Sequence, residues 1–130
     1  MDGKNGSGKT TFLRILAGLV QTNTNSIYIN DENYKRINIS QYRSQIGIIT
    51  AGQSTFEGTI YENITFNNKL VEPERLKWVI EKVKLTDEIK KLPNGLDEVI
   101  LTDGKQLSSS ITQKILLARA IMNHPTILFL

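Results

Sequence analysis

Apolar residues fall into a few dense clusters, separated by polar stretches rich in glycine, serine and asparagine. Between Thr10 and Val20, the residues Phe12, Leu13, Ile15, Leu16, Leu19 and Val20 leave almost no polar face, which predicts a buried helix. Residues 21–25 form a polar loop, Ser26–Asn30 reads as a short strand, and Asn30–Asn33 carries turn chemistry. The β-branched run Ile46–Thr50 predicts a buried strand. Pro73 suits the first turn of a helix, and Leu76, Val79, Ile80 and Val83 follow at i, i+3, i+4 and i+7, so one face packs inward. A short helix over Asp87–Lys91 must end before Pro93, and a longer one, Ser110–Met122, must stop before Pro125. Thr126–Leu130 is again a buried-strand pattern. Strands at either end of long helical stretches predict an α/β architecture.

Composition narrows this only slightly. A length of 130 residues suits one domain with a modest core. Hydrophobic residues at 39% and charged residues at 22% match an ordinary globular chain rather than a disordered one. The net charge is +3, but bases and acids interleave, as across Glu72–Lys91. That is the pattern of a solvated helix face, so no nucleic-acid partner is expected. The absence of cysteine excludes disulfides and thiolate metal sites and fits a reducing compartment. Met1 leads straight into a glycine-rich polar run, so no signal peptide is expected there. The longest apolar run, at the end of the chain, is far too short to cross a bilayer, and membrane association is expected only through a partner.

The sharpest chemistry lies in GKNGSGKTT, Gly3–Thr11, which satisfies G-x-x-x-x-G-K-[ST] at Gly3, Gly8, Lys9 and Thr10. Glycines let a backbone curl until successive N–H groups point inward at phosphate oxygens. The helix that follows adds the positive end of its dipole. In this pattern Gly3, Asn5, Gly6, Ser7 and Gly8 form the cradle and Lys9 reaches the terminal phosphates. The Thr10 hydroxyl is placed to ligate Mg²⁺, and Thr11 is placed near the α-phosphate. The plainer alternative is a glycine turn before a helix. The motif alone does not choose among kinases, GTPases and transport ATPases.

Residues elsewhere make that choice. QYRSQIGIITAGQSTFEGTIYENITF (Gln41–Phe66), LPNGLDEVI (Leu92–Ile100) and DGKQLSSSITQKILLARAIMNHPTILFL (Asp103–Leu130) occur in order and without large gaps. The run resembles the ATP-binding domains of ABC transporters, of the exporter type. Leu107, Ser108, Gln113, Ile115, Leu117, Ala118, Arg119, Ala120 and Pro125 stand where the family pattern has them. The resemblance implies a partial P-loop NTPase (RecA-like) α/β core over 1–50 and 115–130, with an inserted helical subdomain over 51–114. It implies ATP and Mg²⁺ as ligands. As partners it implies a second ATP-binding domain, in a homo- or heterodimer, and the transmembrane domains of a transporter. The chain would then sit at the cytoplasmic face of the membrane. Each ATP would lie between one domain's phosphate loop and the other's signature segment, here Ser108, Ser109 and Ser110 acting in trans, with closure and opening coupled to export.

This chain also departs from the family. The family's Leu-Ser-Gly-Gly-Gln becomes Leu107-Ser108-Ser109-Ser110-Ile111. Ser108 keeps a possible γ-phosphate contact, while losing both glycines hinders backbone approach and strains any position that needs a positive φ. Alternatively Ser110-Ile111-Thr112-Gln113 is a capping box for the helix that follows. The family's magnesium-contacting glutamine falls on Ala51, with Gln53 two residues on as a substitute if the loop shifts, and an acidic family position appears as Thr102. The family's aspartate and catalytic glutamate would directly follow Leu130, and a strand and an adenine-stacking aromatic would precede Gly3. A piece of a longer domain with no catalytic residue of its own is therefore expected. Tyr28, Tyr34, Tyr42 and Tyr61 are no obvious stacking replacements. His124 reads as a polar helix terminus, and Trp78 as a structural residue near the packing face. The alternative function is a non-catalytic nucleotide-binding or structural half of an asymmetric dimer, or a decayed fragment without turnover.

Overall fold

The computed structural model describes residues 3–20, 27–50, 52–101 and 106–130. Its architecture is mixed α/β, with three two-stranded sheets and six α-helices among those residues. Helix α1, Lys9–Leu16, starts directly after Gly8. It is shorter than its apolar pattern predicts and it is not buried. Phe12 is 48% exposed, and the buried residues are Ala17 and Gly18, just past its end. The physical reason is one-sided packing. The C-terminal end is held by Tyr34, whose hydroxyl donates to the Ile15 carbonyl at 2.7 Å, and by Arg43, which donates to the Gly18 carbonyl. Leu19 and Val20 remain open to solvent.

Strand β1, Tyr28–Ile29, returns antiparallel as β2, Glu32–Asn33. The link is Asn30-Asp31, both at positive φ (50° and 67°), which is the two-residue hairpin turn that matches strand twist. The expected turn is therefore present, but its last two residues are the return strand. The loop 21–25 and Ser26 lie outside the described residues. Helix α2, Ile39–Ser44, is opened by the Asn38 side chain, which accepts from the Gln41 N–H at 3.1 Å. Its apolar pattern is too weak to predict it.

Strand β3, Ile46–Ile48, pairs in parallel with β6, Ile127–Phe129, with Ile46 opposite Ile127. Both expected strands exist, but β6 is not buried: Ile127 and Leu128 are 38% and 39% exposed. Only β3 pairs with it among the described residues. On β3, Gly47 meets helix α6, Ser109–Met122, so closely that a Cβ there would lie 2.4 Å from the Ala120 carbonyl oxygen.

The hydrophobic core is built from residues between Ile60 and Met122. Ile60, Ile64, Leu76, Val79, Ile80, Val83, Leu85, Ile100, Ile115, Ala118 and Met122 pack as one cluster. Strand β4, Gly58–Thr59, pairs antiparallel with β5, Val99–Ile100, and leads into α3, Ile60–Thr65. Thr59 and Glu62 close a reciprocal capping box on α3, with bonds of 3.0 and 2.8 Å. Helix α4, Pro73–Lys82, turns Leu76, Val79 and Ile80 inward as its periodicity predicts. Trp78 is a correction. It sits on the outward side, 43% exposed, with the Arg75 guanidinium 4.4 Å and the Lys82 ammonium 5.4 Å from its ring centroid. Helix α5, Thr86–Lys91, follows. Two cations lock the bundle. Arg75 donates to the carbonyls of Ile121 and Met122 at the end of α6, and Lys114 of α6 donates to the Lys84 carbonyl and to Glu88 of α5.

Candidate functional site: a phosphate loop and a serine-capped helix

The loop before α1 has the backbone its glycines allow. Gly6 and Gly8 lie at φ 80° and 82°, a region costly for a residue with a Cβ. Open space lies beside both. Gly8 is also the N-terminal boundary residue of α1, and no side chain caps the first turn there. The Lys9 ammonium folds back over the loop. It donates to the carbonyls of Gly3 and, at 2.7 Å, Lys4, and reaches the Ser7 hydroxyl at 3.4 Å. Asn5, Gly6, Ser7, Gly8, Lys9, Thr10 and Thr11 line a cleft of about 360 Å³. Of the loop residues singled out in the sequence, all but Gly3 line one exposed concavity, with a cation and the positive end of a helix facing it, and Gly3 contributes its carbonyl to Lys9. These groups suit a polyphosphate: Lys9 already seeks oxygen ligands, and nothing crowds Gly6 or Gly8.

A second cleft, of about 300 Å³, is lined by Leu70, Arg75, Met122 and His124 among others. Its arginine is engaged with the α6 carbonyls. His124 lies exposed just beyond α6, at φ 51°, which fits the helix-terminus role expected of it.

At the other end of α6 the structure changes the expected picture. The capping residue is Ser108, not Ser110: its hydroxyl accepts from the Ile111 N–H at 3.3 Å, and the helix begins at Ser109. Ser110-Ile111-Thr112-Gln113 forms no capping box because those residues already lie inside the helix. Ser109 and Ser110 are absent from the positive-φ residues, so replacing the family glycines costs no backbone strain here. Ser108, Ser109 and Ser110 are all exposed, whereas Ile111 is half-buried against the core.

Among the described residues between β3 and β4 there is no helix or strand. Ala51 and Thr102 lie outside the described residues. Gln53 is exposed, and its side-chain carbonyl accepts from the Thr50 N–H at 3.4 Å while its own N–H donates to the Thr50 carbonyl. Sequence reasoning missed what holds the next residues. Arg119 of α6 donates to the Asn63 carbonyl (2.7 Å), the Asn63 side-chain oxygen (2.9 Å) and the Ser54 carbonyl (3.3 Å). Its guanidinium also lies 5.2 and 5.0 Å from the ring centroids of Phe56 and Phe66. Burial lowers the Arg119 pKa from its ordinary value. The signal was present in two separated aromatics and an arginine, but nothing in sequence spacing joins them.

Comparison with known proteins adds the following. The model of the ABC transporter family matches residues 1–130. The chain is 32% identical over 98% of its length to the mitochondrial iron-sulfur clusters transporter ATM1 of Saccharomyces cerevisiae, covering 18% of that protein. It is 30% identical over 97% of its length to the mitochondrial iron-sulfur clusters transporter ABCB7 of Homo sapiens, covering 17% of it. It is 34% identical over 98% of its length to the uncharacterized ABC transporter ATP-binding protein YfiB of Bacillus subtilis, covering 22%. The chain thus spans about a fifth of the curated relatives it matches. A solved bacterial Atm1-family ABC exporter with ATP bound superposes with a TM-score of 0.89 at 26% identity, over 98% of this chain and 22% of that one.

Proposed function

This chain belongs to the ABC transporter family, and from that premise we propose that it is an ATP-binding module that couples nucleotide binding and hydrolysis to export across a membrane. The observation that carries this reading is the loop Gly3–Thr11, with two left-handed glycines, Lys9 turned into the concavity and α1 opening directly behind it. In this reading residues 1–50 and 115–130 belong to a P-loop NTPase core, and 51–114 form the inserted helical subdomain. Gly3, Asn5, Gly6, Ser7 and Gly8 hold the polyphosphate by backbone N–H groups, Lys9 neutralises its terminal charge, and Thr11 stands near the α-phosphate. Among the described residues no group of three or more His, Asp or Glu could hold a metal ion. A Mg²⁺ ion would therefore be held by the Thr10 hydroxyl together with the nucleotide's own oxygens, and it would supply neutralisation of phosphate charge. The partners in this reading are a second ATP-binding domain and transmembrane domains, which place the chain at the cytoplasmic face.

Titration with a fluorescent ATP analogue in the presence of Mg²⁺ tests it. Lys9→Ala is expected to abolish affinity, while His124→Ala leaves it unchanged, because only Lys9 reaches into the loop. Equal losses from both substitutions would overturn the assignment.

A second reading is favoured by the start of α6. There Ser108 acts as a cap, Ser109 and Ser110 are helical residues with side chains, and Ile111 is packed on the core. Such a segment offers a facing nucleotide serine hydroxyls, and its first-turn N–H groups are flanked by side chains where the family has bare glycine backbone. This describes a chain that binds nucleotide but serves a slow composite site, as the non-catalytic half of an asymmetric dimer. Steady-state phosphate release from this chain alone is expected to be negligible. Robust turnover that disappears in Lys9→Ala would reject this second reading.

A further inference from the structure

We propose that Arg119 is a positioning residue that sets where the segment Gln53–Phe56 lies relative to α6. The inference rests on the nucleotide reading above only for its bearing on function: Gln53 stands two residues beyond Ala51, the position on which the family's magnesium-contacting glutamine falls. Ser54, Thr55 and Phe56 belong to no helix or strand, so no backbone ladder fixes them. Their anchors come from two side chains. Arg119 takes the Ser54 carbonyl. Asn63, fully buried, accepts from the Phe56 N–H at 3.0 Å and donates to the carbonyls of Phe56 and Thr59 at 2.9 and 3.0 Å. Asn63 is in turn held by Arg119 through both its backbone and side-chain oxygens.

The geometry requires an arginine. Its planar fork serves three acceptors at once, and both faces of the plane are available to aromatic rings. Phe56 and Phe66 occupy positions close to that cation. A lysine carries the charge but not the fork.

The next residue of α6 holds the other side of the same stretch. The Ala120 carbonyl presses against Gly47 in β3, at a separation that admits no Cβ. Adjacent residues on one rigid helix therefore grip the chain before and after the Gln53 turn. Ser108 lies about 16 Å up the same helix at 1.5 Å per residue. A displacement of the serine end of α6 is thereby delivered to Gln53–Phe56 without passing through the phosphate loop.

Amide hydrogen exchange of the 130-residue chain tests this, comparing wild type with Arg119→Lys. The Gln53 and Phe56 amides, bonded to the Thr50 carbonyl and to Asn63, are the reporters. Positioning by the fork predicts that their exchange accelerates about tenfold or more while α4 and the first turns of α6 keep their protection. A uniform rise across α3, α4 and α6 would show a merely stabilising arginine, and unchanged exchange at Gln53 and Phe56 would show no role; either overturns the proposal. If Arg119→Lys does not fold, Phe66→Leu removes one ring from an exposed position, and the same local acceleration, smaller in size, is expected; a uniform rise, or none at Gln53 and Phe56, overturns the proposal here too. Exchange is read without nucleotide, whereas the nucleotide reading stands or falls on the Lys9→Ala titration, so the two fail separately.

Discussion

At Gly47 a single hydrogen atom decides whether two elements can touch. A methyl group there would meet the Ala120 carbonyl and the Leu128 side chain, at 2.4 and 2.8 Å. The carbonyl belongs to a helix backbone and cannot rotate away. Gly47→Ala is therefore expected to destabilise the chain by about 1–3 kcal/mol, the usual range for overpacking, seen as a fall of several degrees in melting temperature. Thr55 presents the opposite case. Its side-chain oxygen is the one buried side-chain polar atom without a hydrogen-bond partner among the described residues. Thr55→Val keeps the shape and removes the stranded hydroxyl, so denaturant unfolding should show unchanged or slightly raised stability. A clear loss would mean that the hydroxyl has a partner. Sequence reasoning could single out Gly3–Thr11 as a candidate site because the motif is contiguous and its glycines have one stereochemical purpose. It could not find the Arg119 bracket, which joins positions far apart in the chain.

Among the elements, α6 departs from expectation at its start. Its range was legible from Pro125 and from the apolar pattern, and it begins one residue earlier than expected. The cap moved from Ser110 to Ser108 because three serines in a row offer equivalent chemistry, and sequence cannot rank them. The helices α2 and α3 went unread because each has only six residues, too few to establish a period. The cap itself is testable: Ser108→Ala should cost about 1 kcal/mol in stability, while Ser110→Ala should cost far less. Installing glycine at 109 and 110 and glutamine at 111 exchanges helix propensity and core packing for approachable backbone donors. That variant is expected to melt lower, by roughly 1–2 kcal/mol. When paired with a partner domain that carries its own catalytic acid, it is expected to turn over ATP faster. A lower melting temperature with no change in rate would remove the phosphate-facing role from this segment.

The molecule as a whole is unevenly supported. Its continuous core runs from Ile60 to Met122, whereas α1 and the β3–β6 pair keep apolar surface in water. Sequence periodicity assigns apolar faces but does not reveal how many neighbours cover them, so α1 and β6 were expected to be buried and are not. Within the core region, Lys114 pins α5 to α6 through Glu88. The hydrogen bond from Lys114 holds the Glu88 carboxyl below its usual pKa. A carboxyl lowered by folding stabilises above its unfolded pKa and loses that contribution as pH falls through the folded value. Glu88→Gln should therefore melt below wild type at neutral pH, and the gap should close in acid; a gap that persists in acid would mean the pair contributes no charge interaction. The contact of Arg75 with the chain's single tryptophan has an optical consequence. The same guanidinium that covers the Trp78 ring holds the last carbonyls of α6, so release of that helix end also uncovers the indole. Intrinsic fluorescence is thereby a built-in gauge of one joint: on gentle denaturation the emission should shift red when α4 and α6 part, without any label.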